Sequence, residues 1–495
     1  MKKIILSVIC VVLAVAMLAC SGESSSTDEV SNSDTVDVTL APPSETLATY
    51  EGIDISVFAL RYFFVQAYRD FQQTHYTDIS AYLDPTLPLQ DQVPEADGYT
   101  DYQSWYDYFL SIAKRDLEYY IAFAAEAKKD GVSLTDEEKA SVDANVDSIA
   151  ATAKGYGLSF EEYMKDLEGM GEGVTPQIMK DTYYTLQLAT KYLQTKYDSF
   201  EITDDDIKKE FEKNKNSYTV ADYNVITITP KYDATSTEQQ KQDAKNDALN
   251  KGDAFMSSVQ SGTSFVDAYK IIYPDLEEKD YEKFEKGCTV TDAKYSEDPD
   301  EVISWIFSDG RVDGDVTKFV DSQGRVKIVQ VIKAPHENDF PILNARYIYI
   351  DLSLGEYTES TAKKLAEDII NQVSKSENKD EEFITLVEKH SNDTVTNKKG
   401  GLAENIIPTN TSLPQNVVSW LFEDGRKLYD CGYQEYTNYG VVCGYFVTFV
   451  SSYGEPYYSY VIKSNLKTEM LSDYIKEKTE NTEISYDSEL TALIY

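Results

Sequence analysis

The stretch VISWIFSDGR at residues 302–311 returns as VVSWLFEDGR at 417–426, 115 positions later. Each copy has apolar residues at helical spacing ahead of an Asp-Gly pair, so each reads as a short helix with a capping turn. The surroundings repeat as well. Ahead of the first copy lie the β-branched run NVITI (224–228), a polar helix pattern over 237–259, a second helix holding Phe265, and a loop; behind it lies the strand VKIVQVI, 326–332. Ahead of the second copy lie the strand RYIYIDL (346–352), a helix over 358–374, a helix holding Phe383, and a loop with Gly400-Gly401; behind it comes YFVTFV, 445–450. The Pro-flanked link APHENDFP, 334–341, divides them. Two β-α-α-β units follow from this order, at a period too long for a solenoid of 20–50-residue repeats.

Upstream of the duplication the pattern is helical. VFALRYFFVQAYRDF (57–71) and SWYDYFLSIAKRDLEYYIAFAAEAK (104–128) carry apolar residues on several faces, as helices packed between others do. Helix starts are marked by Thr135 with Glu138 and Ser159 with Glu162, the spacing that satisfies free backbone amides at an N-terminus. Thr203 followed by Asp204, Asp205 and Asp206 reads as a cap with first-turn acids; the triplet lacks the alternating ligands and turn glycine of a calcium loop. The last stretch, 456–495, holds one helix that either packs back on the N-terminal helices or stands apart.

The first residues carry an address. Lys2 and Lys3 precede the apolar run Ile4–Leu18, short of the ~20 residues that a spanning helix needs. Met17-Leu18-Ala19-Cys20 resembles a bacterial lipobox, which implies a signal peptide over 1–19 and lipidation at Cys20; an uncleaved anchor is the other reading. Residues 20–45 are polar and read as a flexible tether.

Among 495 residues the formal charge is −40, which excludes nucleic acid or an anionic membrane surface as the main partner. The 39 tyrosines suit half-exposed surfaces as well as cores. Cys431 and Cys443 read either as a disulfide or as two packed thiols, and three histidines (His75, His336, His390) leave no zinc spacing, so neither a metal nor another cofactor is expected.

In the second unit, EEFITLVEKHSND (381–393), Lys399-Gly400-Gly401-Leu402, Leu413-Pro414 and Gly444-Tyr445-Phe446-Val447 follow one another in an order that resembles the parvulin family of peptidyl-prolyl isomerases. With the leader, and with Tyr50-Glu51-Gly52-Ile53-Asp54-Ile55 opening the helical part, the whole chain is similar to the PrsA/SurA-like exported foldases built from parvulin units. The resemblance implies an α+β protein: a helical SurA-N-like domain over 46–219, a degenerate parvulin-like unit over 220–335, a second over 341–455, and the C-terminal helical segment over 456–495. It implies unfolded exported polypeptides as partners, and a membrane reached only through the lipid.

The family places two histidines and a Cys or Asp around the rotating X-Pro amide. Asp393 stands at the Cys/Asp position and is the candidate catalytic residue; Tyr347 and Phe446 stand at the histidine positions, and Gln415 where a groove phenylalanine is expected. Tyr347, Leu402, Gln415 and Phe446 are the candidate peptide-binding residues. Tyr347 and Phe446 fit either plain core filling or an aromatic shelf. The first unit holds no histidine between 220 and 335, and its Asp275 falls where Asp393 does. Trp305 and Trp420 read as core anchors, and His390 as a favourable charge at a helix C-terminus. A holding protein with doubtful isomerase activity is the expectation, an active prolyl isomerase the alternative, and a solute-binding or scaffold lipoprotein the third.

Overall fold

The computed structural model describes residues 40–296, 298–410 and 412–495. The expected signal peptide, with Cys20 and the expected tether up to residue 39, lies outside the described residues. The chain divides into two compact units, one formed by residues up to Glu201 with Leu466–Tyr495, the other by Ile202–Asn465.

In the first unit, β1 (Thr46–Tyr50) and β2 (Ile53–Ser56) form a hairpin. Its two-residue turn, Glu51 (φ 46°) and Gly52 (φ 75°), is left-handed at both positions, the twist that tight hairpins prefer. This is the stretch that sequence alone presents only as a family phrase. There follow α1 (Val57–Thr74), α2 (Trp105–Lys129), α3 (Asp136–Gly155), α4 (Phe160–Asp166) and α5 (Pro176–Ser199). The Thr135 and Ser159 capping boxes form with both bonds in place. Phe64, Trp105, Phe109 and Phe123 are fully buried between the helices, and Leu471, Ile484 and Ile494 of the C-terminal segment join the same core. Residues 41–45, expected in the tether, are instead held: the Ala41 amide donates to the Leu493 carbonyl (2.9 Å) and Phe58 to Pro43 (3.0 Å).

The second unit opens with α6 (Asp204–Lys213), whose cap is Thr203 with Asp206 returning to the Thr203 amide, so the acid triplet serves the helix. Then come β3 (Thr219–Ile228), α7 (Glu238–Gln260), α8 (Phe265–Ile272), α9 (Glu278–Gly287), β4 (Thr289–Lys294), α10 (Glu301–Ile306), β5 (Val316–Val320) and β6 (Val326–Glu337). The second pass is β7 (Pro341–Asp351), α11 (Glu359–Lys375), α12 (Lys379–His390), β8 (Leu402–Ile406), α13 (Gln415–Leu421), β9 (Cys431–Asn438) and β10 (Val441–Pro456). The chain ends with α14 (Tyr457–Glu480) and α15 (Ser488–Thr491).

The two sheets have equivalent strand orders, β4-β3-β6-β5 and β8-β7-β10-β9, all antiparallel. Sequence reading finds the inner pair of each sheet and takes the outer strands for loop. Those outer strands are short and half-solvated, and β4 and β8 are each interrupted by a left-handed residue, Asp292 (φ 50°) and Asn405 (φ 53°). The same device holds both kinks: the Asp292 amide donates to the Asp222 side chain, and the Asn405 amide to the Asn344 side chain, each at 2.8 Å. The expected link 334–341 shrinks to residues 338–340, because β6 runs on through Pro335. Proline lacks an amide hydrogen, and here it sits where the β3–β6 register shifts, a place where none is required.

The repeated stretch owes its identity to a clamp. The Arg311 guanidinium lies 4.8 Å from the Trp305 ring centre, and Arg426 lies 3.9 Å from that of Trp420. Both tryptophans are half-buried and pack against the small core beside their helix, with one edge left to the arginine. Arg311 also pairs with Asp315, and Arg426 with Asp430; the carbonyls of these aspartates then receive the amides of Val331 and Val450. One tryptophan–arginine stack thus fixes the turn that aims each helix into its closing hairpin. Arg426→Ala removes the stack and the Nε bond to the Trp420 carbonyl, and is expected to lower stability by about 1–2 kcal/mol in denaturant unfolding, with Arg426→Lys recovering under half.

Candidate functional site

Strand alternation gives the second sheet two unlike faces. Ile348, Ile350, Tyr445, Val447 and Phe449 point toward α11 and α12 and are fully buried there. Ala345, Tyr347 and Tyr349 of β7, with Phe446 and Thr448 of β10, take the opposite face, where the short α13 packs at the Ala345 end. Cross-strand pairing sets Tyr349 opposite Phe446 and Tyr347 opposite Thr448. The result is a run of rings: Tyr347 to Phe446 at 5.5 Å, Tyr349 to Phe446 at 4.7 Å, and Tyr436 of β9 at about 6 Å from both Phe446 (6.1 Å) and Tyr349 (6.2 Å). Gly444 makes the approach possible, since a Cβ there would stand 2.7 Å from the Tyr349 ring.

Asp393 lies in the loop after α12 at the edge of these rings. Its Oδ2 accepts from the hydroxyls of Tyr347 (2.7 Å) and Thr396 (2.5 Å) and from the Thr396 amide (3.1 Å), and its Oδ1 accepts from the Val395 amide (3.1 Å). Burial pulls its proton affinity up, but the Thr396 and Tyr347 hydroxyls and the two amides outweigh this and leave the carboxyl below the ordinary range. Burial chiefly, with Asp393 adding to it, pushes the Tyr347 phenol up to about 12. The carboxylate is therefore ionised and fully engaged at neutral pH, and Tyr347 keeps its proton. Because the folded value of Asp393 is depressed, its contribution is present above the ordinary value of ~3.9 and is lost as pH falls through the folded value. Asp393→Asn is expected to be less stable than the parent at pH 7, with the gap closing toward pH 2 in acid-unfolding curves.

The other candidates are less well placed. Leu402 pairs with Arg346, which reaches Asp380 of α12, so it belongs to the face away from the rings; its neighbour Ala403 joins the ring face. Gln415 is exposed at the first residue of α13, while Asn416 beside it anchors that helix through Nδ2 to the Glu435 carbonyl (2.7 Å). His390 does end α12, but burial first, then Lys389, lowers its proton affinity, so it is no permanent charge. Cys431 pairs with Phe449, and Cys443 precedes Gly444, which pairs with Tyr436; five residues of strand separate them, too far for a disulfide, and both are free thiols. Burial pushes Cys431 up to about 12. Among the described residues no cluster of three or more His, Cys, Asp or Glu could hold a metal, and no helix is long and apolar enough to cross a membrane. Tyr349 and Tyr436 escaped sequence reading, although Tyr349 was legible as the next same-face residue after Tyr347 in RYIYID.

The first sheet offers the control. Register places Val225 and Thr227 where the second sheet has Tyr347 and Tyr349, and Lys327 where it has Phe446. Asp275 is exposed and has no tyrosine beside it in that register.

No family model matches the sequence, and no curated protein does. The structure is similar to the crystal structures of the foldase protein PrsA from Streptococcus pneumoniae (12% identity, 91% of this chain and 97% of that one, TM-score 0.25) and from Lactococcus lactis (15% identity, 70% and 93%, TM-score 0.21).

Proposed function

We propose that the protein is an extracytoplasmic foldase of the parvulin type, anchored through a lipid on Cys20, that holds unfolded or partly folded exported polypeptides on the ring face of its second sheet. The observation that carries this reading is the contrast between two copies of one fold. The first copy closes its equivalent face with Val225, Thr227 and Lys327; the second opens a half-buried row of rings at those positions, Tyr347, Tyr349 and Phe446, with Tyr436 of β9 beside them. Aromatic faces bind extended chains through apolar burial at ~25 cal/mol per Å², which is weak and tolerant of sequence. The charge of −40 keeps such complexes apart in solution.

Isomerase activity is the second reading, favoured by Tyr347, whose hydroxyl is held in place beside the rings by an ionised partner. Rotation about X-Pro lifts amide resonance against a barrier of ~18–20 kcal/mol and transfers no proton, so the absence of imidazole is not by itself fatal. In this arrangement Asp393 acts through Tyr347 rather than on the peptide. The test is prolyl cis/trans exchange by NMR on short X-Pro peptides, beside aggregation of an unfolded client, for the chain starting at Ser21. Suppressed aggregation without accelerated exchange is the expected result. Accelerated exchange that Tyr347→Phe abolishes would make it an isomerase, and failure in both assays would remove the foldase reading.

A further inference from the structure

Two loops that border the ring face, after β7 and after α12, meet the β9–β10 hairpin at one end of the second sheet, and hydrogen bonds tie them to it. The Leu352 amide donates to the Cys443 carbonyl (3.0 Å), the Asn392 amide to Tyr349 (2.7 Å), and the Asp351 amide to the Asn392 side chain (2.9 Å). Four apolar side chains stand out from this end: Leu354 (57% exposed), Val395 (79%), Tyr439 (100%) and Val441 (64%). Tyr439 holds a left-handed backbone (φ 48°) at the tip of the β9–β10 hairpin, a conformation that costs a tyrosine ~1–2 kcal/mol and brings its ring no neighbour there. The equivalent β5–β6 tip of the first sheet is polar, closed by an Asp321–Arg325 ion pair.

Charge on the segments nearest this end is of one sign. Residues 347–362, 390–397 and 428–462, which include the loop after β7, the first part of the loop after α12 and the hairpin, contain no Lys or Arg, while Asp351 ends β7 and Glu356 and Asp393 lie in the two loops; Lys398 and Lys399 follow only where the second loop turns back toward β8. The first sheet brings Lys231, Arg325 and Lys327 to the corresponding end. We propose that the apolar end of the second sheet selects extended client segments in which Lys or Arg flank aromatic or aliphatic residues. The apolar residues pack on Tyr349, Phe446, Tyr439 and Val441, and the cations face Asp351 and Glu356 or lie over the tyrosine rings. The proposal rests on the foldase reading of the same face and names the class of chain that it takes.

Fluorescence anisotropy on the purified protein tests it, with three labelled unfolded peptides that share one Phe/Leu framework and carry Lys, Gln or Glu between the apolar residues. The Lys peptide is expected to bind at least tenfold tighter than the Gln peptide, and the Glu peptide weaker still, with the gaps closing in 0.5 M salt as screening predicts. Asp351→Asn with Glu356→Gln should cut the Lys preference to about threefold and leave the Gln peptide unchanged. Equal binding of all three peptides, weakened alike by Phe446→Ala, overturns the charge preference and leaves the foldase reading standing. No binding by any of them overturns both.

Discussion

Replacing Arg61 by Met is expected to lower the stability of the first unit by about 3–5 kcal/mol, although the new side chain fills most of the same volume. Arg61 is fully buried on α1, and its guanidinium serves three backbone carbonyls from distant parts of the chain: Nε to Ile494 (2.7 Å), Nη1 to Met170 (2.9 Å) and Nη2 to Ala41 (2.6 Å). Burial brings its proton affinity down to about 10, still far above neutrality, so these are charge-assisted bonds. Room for the group comes from Gly171, where a Cβ would stand 2.9 Å from Nη1. Met leaves three carbonyls dry and unpaired, each at ~1–3 kcal/mol, partly offset by recovering the solvation of the cation. Arg61→Ala should be no worse than Met, because water can enter the space and satisfy the carbonyls; Arg61→Lys should retain about half. Hydrogen exchange by mass spectrometry reads the effect locally. Amides of residues 490–495 should lose protection first, since that segment is held by Arg61 and by the Tyr106 hydroxyl on the Thr491 carbonyl (2.5 Å). A Met variant as protected as the parent would show that the three bonds are dispensable.

Nothing in the sequence announces Arg61. It reads as one polar residue in an apolar helix pattern, and its partners are carbonyls, which carry no side-chain signature. What the sequence does announce is local chemistry. The Thr135, Ser159 and Thr203 caps are legible because donor and acceptor lie three residues apart, and the duplication is legible because Trp, Asp-Gly and Arg recur at one spacing. The outer strands β4, β5, β8 and β9 are not, since a short half-solvated edge strand, kinked in β4 and β8, has neither a long apolar run nor clean alternation. The site divides the same way. Tyr347 and Phe446 come from flanking phrases and do meet, whereas Leu402 falls on the wrong face because a shift of one residue in a strand inverts the side. Phe446, Tyr349 and Tyr436 share a face only once the β7–β10 and β9–β10 registers are known, and a single sequence does not state a register.

Those registers make Gly444 the position where fold and binding face are joined, and Gly444→Ala is the second large effect. A Cβ at 444 would stand 2.6 Å from the Ile350 carbonyl oxygen and 2.7 Å from the Tyr349 ring. The ring can turn, but the carbonyl belongs to the β7–β10 ladder and cannot give way without parting the strands where Gly444 faces Asp351. The expected cost is about 2–4 kcal/mol, the range of overpacking against backbone. Moving Tyr349 also opens the ring row at its centre, so binding of unfolded peptides should fall at least tenfold at temperatures where the variant is still folded. Phe446→Ala separates the two consequences. It removes the ring that Tyr347, Tyr349 and Tyr436 all approach, yet its half-buried position limits the stability loss to about 1–2 kcal/mol. If both variants lose peptide binding while only Gly444→Ala loses a large part of its stability, the rings are the binding surface and the glycine is what lets them assemble. If Phe446→Ala binds as the parent does, the ring row is core filling of an open sheet, and the polypeptide is held elsewhere.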